Sequence, residues 1–151
     1  MKSSGKDPGR PWDEALTERL AQRGFRFTTQ REHVYNVLLQ ERDHPTAEQV
    51  FLRTKKVMPD ISMATVYNCL DALVQCRLAK EVNLDRGASR YCPNMREHCH
   101  FYCTTCETVY DINLPKAGLN PPVILPKGFK ATEYDLSVRG VCARCGSGSP
   151  P

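Results

Sequence analysis

The sequence lacks long apolar runs, both at its start and along its length. Its N-terminal segment, MKSSGKDPGRPWDE, has no apolar core of the kind that a secretory signal peptide needs. Nowhere do about 18 apolar residues follow one another, which is the least that a membrane-spanning helix requires. These absences argue against secretion and against membrane insertion, and we expect a cytoplasmic protein.

The sequence also lacks a large excess of charge of either sign. The 151 residues carry 21 Lys or Arg against 17 Asp or Glu, a net charge of +4. Hydrophobic residues make up 40% and charged residues 25%, and the mean hydropathy of −0.49 is typical of a globular protein rather than a disordered one. This balance permits a nucleic-acid partner without predicting one.

Cysteine is present in unusual number, with eight residues beside four histidines. In a reducing cytoplasm, neighbouring thiols are more often metal ligands or redox centres than structural disulfides. Cys69 and Cys76 precede residue 80, and the others follow it: Cys92, Cys99, Cys103, Cys106, Cys142 and Cys145, with His98 and His100. This segregation predicts a helical front and a cysteine-rich back.

The first half of the chain predicts four helices. The first begins at Pro11, where the missing N–H costs little, and Gly24 caps its C-terminus. Side chains that accept hydrogen bonds from a first helical turn predict the other three starts. These predicted caps are Thr29 with Glu32, Thr46 with Gln49, and Ser62.

The fourth predicted helix has two contrasting faces. Its inward stripe is apolar and contains Val66, Leu70, Leu73 and Val74. Its outer face is small, polar and aromatic, with Ala64, Thr65, Tyr67, Asn68 and Asp71. Two extended stretches follow at 78–83 and 88–92, around a turn at 85–87.

Helices followed by a β-hairpin are the order of a winged helix-turn-helix. The Tyr67 face would then meet a DNA major groove, and Lys80, Arg86 and Arg90 would reach phosphates. The same pattern also fits a small helical domain whose polar face meets water.

Two C-x-x-C pairs predict a structural zinc site. Cys103 and Cys106 are separated by 35 residues from Cys142 and Cys145. Each pair places two thiolates on one tight turn, and the two turns close a tetrahedron that has no open position for catalysis. The competing interpretation is thioredoxin-like redox activity, which needs a βαβ pattern that this sequence does not show.

Short strands are predicted around these cysteines. They cover 98–102 and 108–112, with a third where Tyr134, Leu136 and Val138 alternate. Prolines within 115–126 argue against a long helix there, and the GSGSPP tail is predicted to be disordered. The fold class that we expect is α+β, in which a small α/β module follows the helical front.

A second set of metal-binding residues lies at the start of this module. His98 and His100 point the same way from a strand, whereas Cys99 points to the other face. With Cys92 they form a donor set suited to Zn²⁺, and Asp111 or His44 is the candidate for a fourth ligand. Alternatively, the histidines form a solvated strand face and Cys92 is a buried thiol.

Together these motifs resemble the ferric uptake regulator (Fur) family of bacterial metal-sensing repressors. The resemblance rests on FRFTTQR, HPTAEQVF, SMATVYNCL, HCHFYCTTC and CARC, and it runs from about Leu16 to Cys145. It implies a winged-helix DNA-binding domain over 1–91 and a metal-binding dimerisation domain over 92–151. It also implies a homodimer that binds palindromic operator DNA to control metal-homeostasis genes.

The resemblance also implies roles for individual residues. The regulatory metal ligands would be His44, Cys92, His98, His100 and Asp111, and the structural zinc ligands Cys103, Cys106, Cys142 and Cys145. The residues that meet DNA would be Thr28, Gln30, Arg31, Ala64, Thr65, Tyr67 and Asn68. Whether His44 or Asp111 completes the regulatory site is left open.

Cys92 points to the sensed metal. Zinc uptake regulators of this family resemble the chain in having cysteine at this position, where the iron and peroxide sensors carry a carboxylate. A thiolate favours Zn²⁺ over Fe²⁺ or Mn²⁺ relative to a carboxylate, so the regulatory cofactor predicted is Zn²⁺, with Fe²⁺ or Mn²⁺ as alternatives.

Two other functions are weighed against zinc sensing. One is an iron, manganese or peroxide sensor, because His44 and the Tyr67-Asn68 pair resemble residues of the peroxide and iron branches of the family. The other is a thiol oxidoreductase or zinc enzyme, against which the chain has no H-E-x-x-H motif. We therefore expect no enzyme, and Cys69, Cys76 and Cys99 receive no role.

Overall fold

A computed structural model of the chain describes residues 11–84, 87–114, 124–132 and 135–148, with only the backbone of residues 11–13. The chain divides into two compact units between Met95 and Arg96. The first unit contains α1 (Pro11–Gln22), α2 (Thr29–Glu41), α3 (Ala47–Lys55), α4 (Met63–Gln75), β1 (Lys80–Val82) and β2 (Arg90–Cys92). The second contains β3 (His98–Cys103), β4 (Val109–Asn113), β5 (Ser137–Gly140) and α5 (Ala143–Gly146).

Helix starts follow the predicted caps with one correction. Thr46 and Gln49 form the predicted capping box of α3, and the Ser62 side chain accepts from the Thr65 N–H at the start of α4. The start predicted for α2 was wrong by one residue, because Thr28 and not Thr29 caps that helix by accepting from the Arg31 N–H. Thr28 and Thr29 both carry a hydroxyl that could cap the helix. Thr28 is the cap because its backbone is extended, as the capping position requires.

The core of the first unit lies among its helices. Its fully buried aliphatic side chains come from α1, α2, α3 and α4: Leu16, Leu20, Val34, Leu38, Val50, Val66, Leu70 and Leu73. The predicted inward stripe of α4 is therefore confirmed, except that Val74 is only half-buried. Burying this stripe fixes which face of α4 remains outside.

The predicted hairpin of the first unit is present. β1 pairs antiparallel with β2, with Lys80 opposite Cys92 and Val82 opposite Arg90. Residues 85 and 86 of the predicted turn lie outside the described part of the chain. An isolated bridge between Thr46 and Arg90 joins β2 to the residue that caps α3.

The second unit is a three-stranded mixed sheet in the order β4-β3-β5. β4 runs antiparallel to β3, with His100 opposite Asp111 and Cys99 opposite Ile112. β5 runs parallel to β3, with Cys103 opposite Gly140. The strands predicted at 98–102 and 108–112 are each confirmed to within a residue or two.

Several sequence expectations fall on residues that are not described. These include most of the proline-rich 115–126 segment, Tyr134 in the third predicted strand, and the end of the tail. No helix within the described ranges is long and apolar enough to cross a membrane.

Candidate functional site

The four cysteines of the C-x-x-C pairs form one cluster in the second unit. Each sulfur lies within 4.8 Å of the others, and Cys106 Sγ is 3.8 Å from Cys142 Sγ. Zinc–sulfur bonds of about 2.3 Å in a tetrahedron place the sulfurs about 3.8 Å apart. The cluster therefore fits a four-coordinate zinc ion with little rearrangement.

Main-chain hydrogen bonds shape the first of these two turns. The Glu107 N–H donates to the Cys103 carbonyl over 2.9 Å, and the Cys103 N–H donates to the Thr108 carbonyl over 3.0 Å. Glu107 has a left-handed backbone, with φ of 58°, which tightens the turn. The second turn is held to the first because the Cys142 N–H donates to Cys103 Sγ over 3.3 Å.

Hydrogen-bond donors around the cluster favour thiolates. The Thr108 hydroxyl, 3.3 Å from Cys106 Sγ, lowers the pKa of the Cys106 thiol to about 5. Backbone N–H groups of Cys106 and Cys142 lower the pKa of Cys103. Desolvation, followed by its cysteine neighbours, raises the pKa of Cys145 to about 12. A metal that binds four thiolates would displace the protons of those thiols that are not yet ionised.

A second ligand cluster in this unit joins β3 to β4. His98 Nε2 lies 2.9 Å from His100 Nε2, so the two rings share one face of β3 as predicted. Asp111 Oδ1 lies 3.3 Å from His98 Nε2 and 3.4 Å from His100 Nε2. His98 Nδ1 is 2.7 Å from the Arg96 carbonyl, which leaves Nε2 as the nitrogen that faces the cluster.

The first unit brings together the other two candidate ligands. His44 and Cys92 are buried, and a ring nitrogen of His44 lies within 4.8 Å of Cys92 Sγ. They become neighbours because β2 pairs with the segment that leads into α3. The Arg90 guanidinium donates to the His44 carbonyl over 3.3 Å, and the Tyr91 N–H donates to the Pro45 carbonyl over 3.0 Å.

Sequence reasoning missed two residues beside His44. Arg53 of α3 makes a double hydrogen bond to Asp43, with Nη1–Oδ1 at 2.8 Å and Nη2–Oδ2 at 2.6 Å. Arg53 lowers the pKa of the Asp43 carboxyl through this bond. The available signal was an acidic residue directly before the His-Pro pair, with a basic residue ten positions later. Thr108, two residues after Cys106, was missed in the same way.

The outer face of α4 is exposed as predicted. Tyr67 is 48% exposed, and Ala64 and Asn68 are exposed, whereas Thr65 is half-buried. No acidic residue lies in the first turn of α4. The face can therefore approach an anionic partner without a carboxylate at its leading end.

The three candidate residues at the start of α2 have different surroundings. Thr28 is occupied as the helix cap, and Gln30 is exposed. Arg31 Nη1 donates to the Arg26 carbonyl over 2.6 Å, and its guanidinium lies over the Phe25 ring. Arg31 is thus held against the protein.

The remaining cysteines lie apart from these clusters. All eight cysteines lie in described residues and none forms a disulfide. Cys69 and Cys76 lie in the core around α4, where burial raises the pKa of both thiols. Cys99 is buried opposite Ile112, on the face of β3 away from the histidines. Buried thiols with a raised pKa, such as Cys69 and Cys76, are poor nucleophiles.

The sequence model of the ferric uptake regulator family matches residues 22–139, which include α2 to α4, β3, β4 and all but the last residue of β5. The chain belongs to the ferric uptake regulator family. Members of this family are metal-dependent transcriptional regulators that bind DNA as dimers, and they are not enzymes.

Relatives of this ferric uptake regulator family member include two peroxide regulators. It is 33% identical over 135 residues to the peroxide operon regulator of Bacillus subtilis strain 168, covering 87% of this chain and 91% of that protein. It is 31% identical over 129 residues to the peroxide-responsive repressor PerR of Staphylococcus aureus strain Mu50, covering 83% and 86%. The resemblance to the zinc-sensing branch stays a prediction.

Its fold is similar to that of the Helicobacter pylori ferric uptake regulator Fur. The TM-score is 0.69 at 20% identity, covering 88% of this chain and 90% of that one. The likeness supports the family's fold of mixed helices and small sheets.

Proposed function

We propose that this chain is a zinc-responsive transcriptional repressor that controls metal-homeostasis genes. The observation that carries the proposal is the pairing of Cys92 with His44, both buried and close enough to bind one ion. A thiolate and a neutral imidazole form a donor set that favours Zn²⁺ over Fe²⁺ and Mn²⁺. His98, His100 and Asp111 would supply the remaining ligands.

The two metal sites would have different roles. Cys103, Cys106, Cys142 and Cys145 would hold a structural zinc, because four thiolates leave no open position. The regulatory ligands would come from both units: His44 and Cys92 from the first, and the histidines with Asp111 from the second. When bound, the ion supplies a positive centre to which ligands of both units are attached.

Regulation would then depend on a difference in metal affinity between two arrangements of the chain. His44 and Cys92 contribute to affinity only where they reach the same ion as His98 and His100. By linkage, a metal that binds this arrangement more tightly stabilises it, and DNA that selects it tightens metal binding equally. Two copies held at a fixed spacing match the half-sites of a palindromic operator.

DNA recognition would use the winged helix of the first unit, with 1–91 as the DNA-binding domain. The dimerisation domain would be 92–151, which begins within the last residues of the first unit. The exposed face of α4 would read bases through Tyr67 and Asn68, supported by Ala64 and Thr65. Thr28, Gln30 and Arg31 would lie near the phosphate backbone. The β1–β2 hairpin, which follows α4 directly, supports this arrangement.

The relatives favour a second candidate, a peroxide, iron or manganese sensor. The B. subtilis and S. aureus proteins are both named for peroxide responses. Asp111 beside His98 and His100 also forms a donor set of imidazoles and a carboxylate, which suits Fe²⁺ and Mn²⁺. In this candidate Cys92 is incidental to sensing or is itself oxidised.

An operator-binding titration distinguishes the two candidates. A duplex selected from a random pool is titrated with the protein under strict anaerobiosis in Zn²⁺, Fe²⁺ or Mn²⁺, and peroxide is added afterwards. The first candidate expects Cys92→Ser to shift the Zn²⁺ response to higher concentration. Cys69→Ala, a change at a buried thiol outside the clusters, is the matched control and should respond as wild type.

Other results identify the second candidate or neither. Operator binding that Fe²⁺ or Mn²⁺ supports and that Cys92→Ser retains establishes the second candidate, and loss of that binding in peroxide identifies a peroxide sensor. A Zn²⁺ response unchanged in Cys92→Ser overturns the zinc proposal. Zinc content measured in parallel should show one structural ion in both variants.

A further inference from the structure

We propose that the ion pair between Asp43 and Arg53 positions His44 as a metal ligand. Neither residue would touch the ion, and both would act through the backbone of the turn between α2 and α3. The inference rests on the proposed role of His44 in the regulatory site. It adds two positioning residues that no metal-ligand pattern in the sequence marks.

The turn that carries His44 has an unusual backbone. Arg42 has φ of 49° and His44 has φ of 56°, both in the left-handed region that residues with a side chain rarely adopt. His44 also precedes Pro45, and a residue before proline prefers an extended backbone. Such a conformation persists only where the surrounding structure fixes it.

On one side of His44, the fixing contact is the Asp43 carboxylate. Both of its oxygens are held by Arg53, at 2.8 and 2.6 Å. A two-point contact between two planar groups fixes orientation as well as distance. Because Arg53 belongs to α3, the pair attaches the residue before His44 to a regular helix.

On the other side, the main chain is fixed by β2. The His44 carbonyl accepts from Arg90 and the Pro45 carbonyl accepts from the Tyr91 N–H. The next residue in β2 is Cys92, so these bonds also set where its sulfur lies relative to His44. The main chain at His44 is thus held by two anchors, one from β2 and the other from the Asp43–Arg53 pair.

Removing the Asp43–Arg53 pair should lower metal affinity without removing a metal ligand. The Arg42–His44 segment would gain access to the extended conformations that its residues prefer. The His44 ring would then occupy its binding position for a smaller fraction of the time. An apparent affinity falls in proportion to the fraction of binding-competent molecules.

The test uses Co²⁺ as a spectroscopic probe in full-length protein whose four-cysteine site is filled with zinc. Absorption of the Co²⁺–thiolate bond reports binding at Cys92, and a competing chelator sets the affinity scale. Arg53→Ala should weaken Co²⁺ binding by up to about fivefold, the limit set by what a partly exposed ion pair contributes. Arg53→Lys, which keeps the charge but loses the two-point contact, should recover only part of it.

Lys55→Ala is the matched control, because it removes one positive charge from the same helix. It should bind Co²⁺ as wild type does. A double-mutant cycle with His44→Ala gives the sharpest comparison, since Arg53→Ala should add no further loss once His44 is absent. If Arg53→Ala does not fold, as judged by circular dichroism, Asp43→Asn provides the same comparison.

Two outcomes would overturn the positioning role and leave the proposed function intact. One is wild-type Co²⁺ affinity in folded Arg53→Ala. The other is an equal loss from Arg53→Ala with and without His44. By contrast, wild-type Co²⁺ affinity in His44→Ala would remove His44 from the regulatory site, and with it the premise on which this inference rests.

Discussion

The Nε2 atoms of His98 and His100 lie 2.9 Å apart on one face of β3, and the intervening Cys99 side chain lies on the other face. This spacing follows from the two-residue period of a strand. It allows both imidazoles to bind one ion without moving the backbone. It also allows a comparison within a single strand, because His100 faces the candidate metal site and the adjacent Cys99 does not.

His100→Ala should therefore weaken regulatory metal binding, whereas Cys99→Ala should not. We expect a loss of about 10-fold or more for His100→Ala, since even outer-sphere partners of a metal contribute that much. Co²⁺ absorption in protein with the four-cysteine site filled measures both variants. Wild-type affinity in both variants would show that His100 is not a ligand of this metal.

Cys142→Ser should remove the structural zinc and unfold the second unit. The sulfur of Cys142 is 3.8 Å from Cys106 Sγ, and the backbone N–H of Cys142 holds Cys103. Zinc bound by such sites contributes directly to folding, at about 10–16 kcal/mol in zinc-finger peptides. Zinc analysis should find the ion lost, and hydrogen exchange should show protection lost in β3, β4 and β5 but retained in α2 to α4.

A chelator added to the wild-type protein supplies the control for this variant. It should reproduce the same exchange pattern, and adding zinc back should restore protection in the wild type alone. Protection of β3 that survives in zinc-free protein would contradict a folding role for the ion.

Leu70→Ala should lower the stability of the protein much more than Asn68→Ala, although both residues lie on α4. Leu70 is fully buried, and truncating it should lower the free energy of unfolding by about 2–5 kcal/mol. Asn68 is exposed, and its truncation should stay within about 0.5 kcal/mol. Urea unfolding followed by circular dichroism measures both.

In operator binding, by contrast, Asn68→Ala should be the more affected of these two variants. Asn68→Ala should weaken binding by about 1–3 kcal/mol, as expected for one base contact, while metal affinity is unchanged. Leu70→Ala should bind normally at temperatures where it is folded. Wild-type DNA affinity in Asn68→Ala combined with Tyr67→Ala would exclude this face of α4 as the reading surface.

Asp43→Asn should make the first unit less stable at neutral pH and equally stable in acid. The Arg53 guanidinium lowers the pKa of Asp43 below its ordinary value, so the folded protein holds that proton less tightly than the unfolded chain. The stabilisation is therefore present above the ordinary pKa of about 3.9 and is lost as pH falls through the lower folded value.

The magnitude of this effect is limited by solvent. Both side chains are partly exposed, and such pairs contribute at most about 1 kcal/mol. Urea unfolding of wild type and Asp43→Asn at a series of pH values down to 3 should show two curves that converge toward the acid end. A difference that grows in acid would contradict this account of the pair.

Local features of the fold could be read from the sequence, and long-range pairings could not. Thr46, Gln49 and Ser62 were predicted as caps because a cap depends on residues within one turn. The shared face of His98 and His100 followed from the strand period alone. The parallel pairing of β5 with β3 depends instead on contacts between distant segments, and no local pattern specifies it.

The turn between α2 and α3 shows the same limit. Left-handed backbones at Arg42 and His44 were not predicted, because glycine or asparagine usually marks such positions. The sequence shows an acidic residue before His44 and a basic residue ten positions later, but their bond becomes apparent only when the packing of α3 is known. For the same reason, Asp111 could be named as a candidate ligand, but its place opposite His100 required the register of β4.

The parallel pairing of β5 with β3 also bears on how the protein assembles. The helices of the first unit contact neighbours close in sequence, which favours fast folding, whereas the β3–β5 contacts close a long loop and form slowly. The paired turns at Cys103 and Cys142 bring the ends of that loop together, so an ion captured early shortens the search. Metal supply while the chain is folding would then set how much regulator a cell obtains, separately from any metal that the finished protein senses.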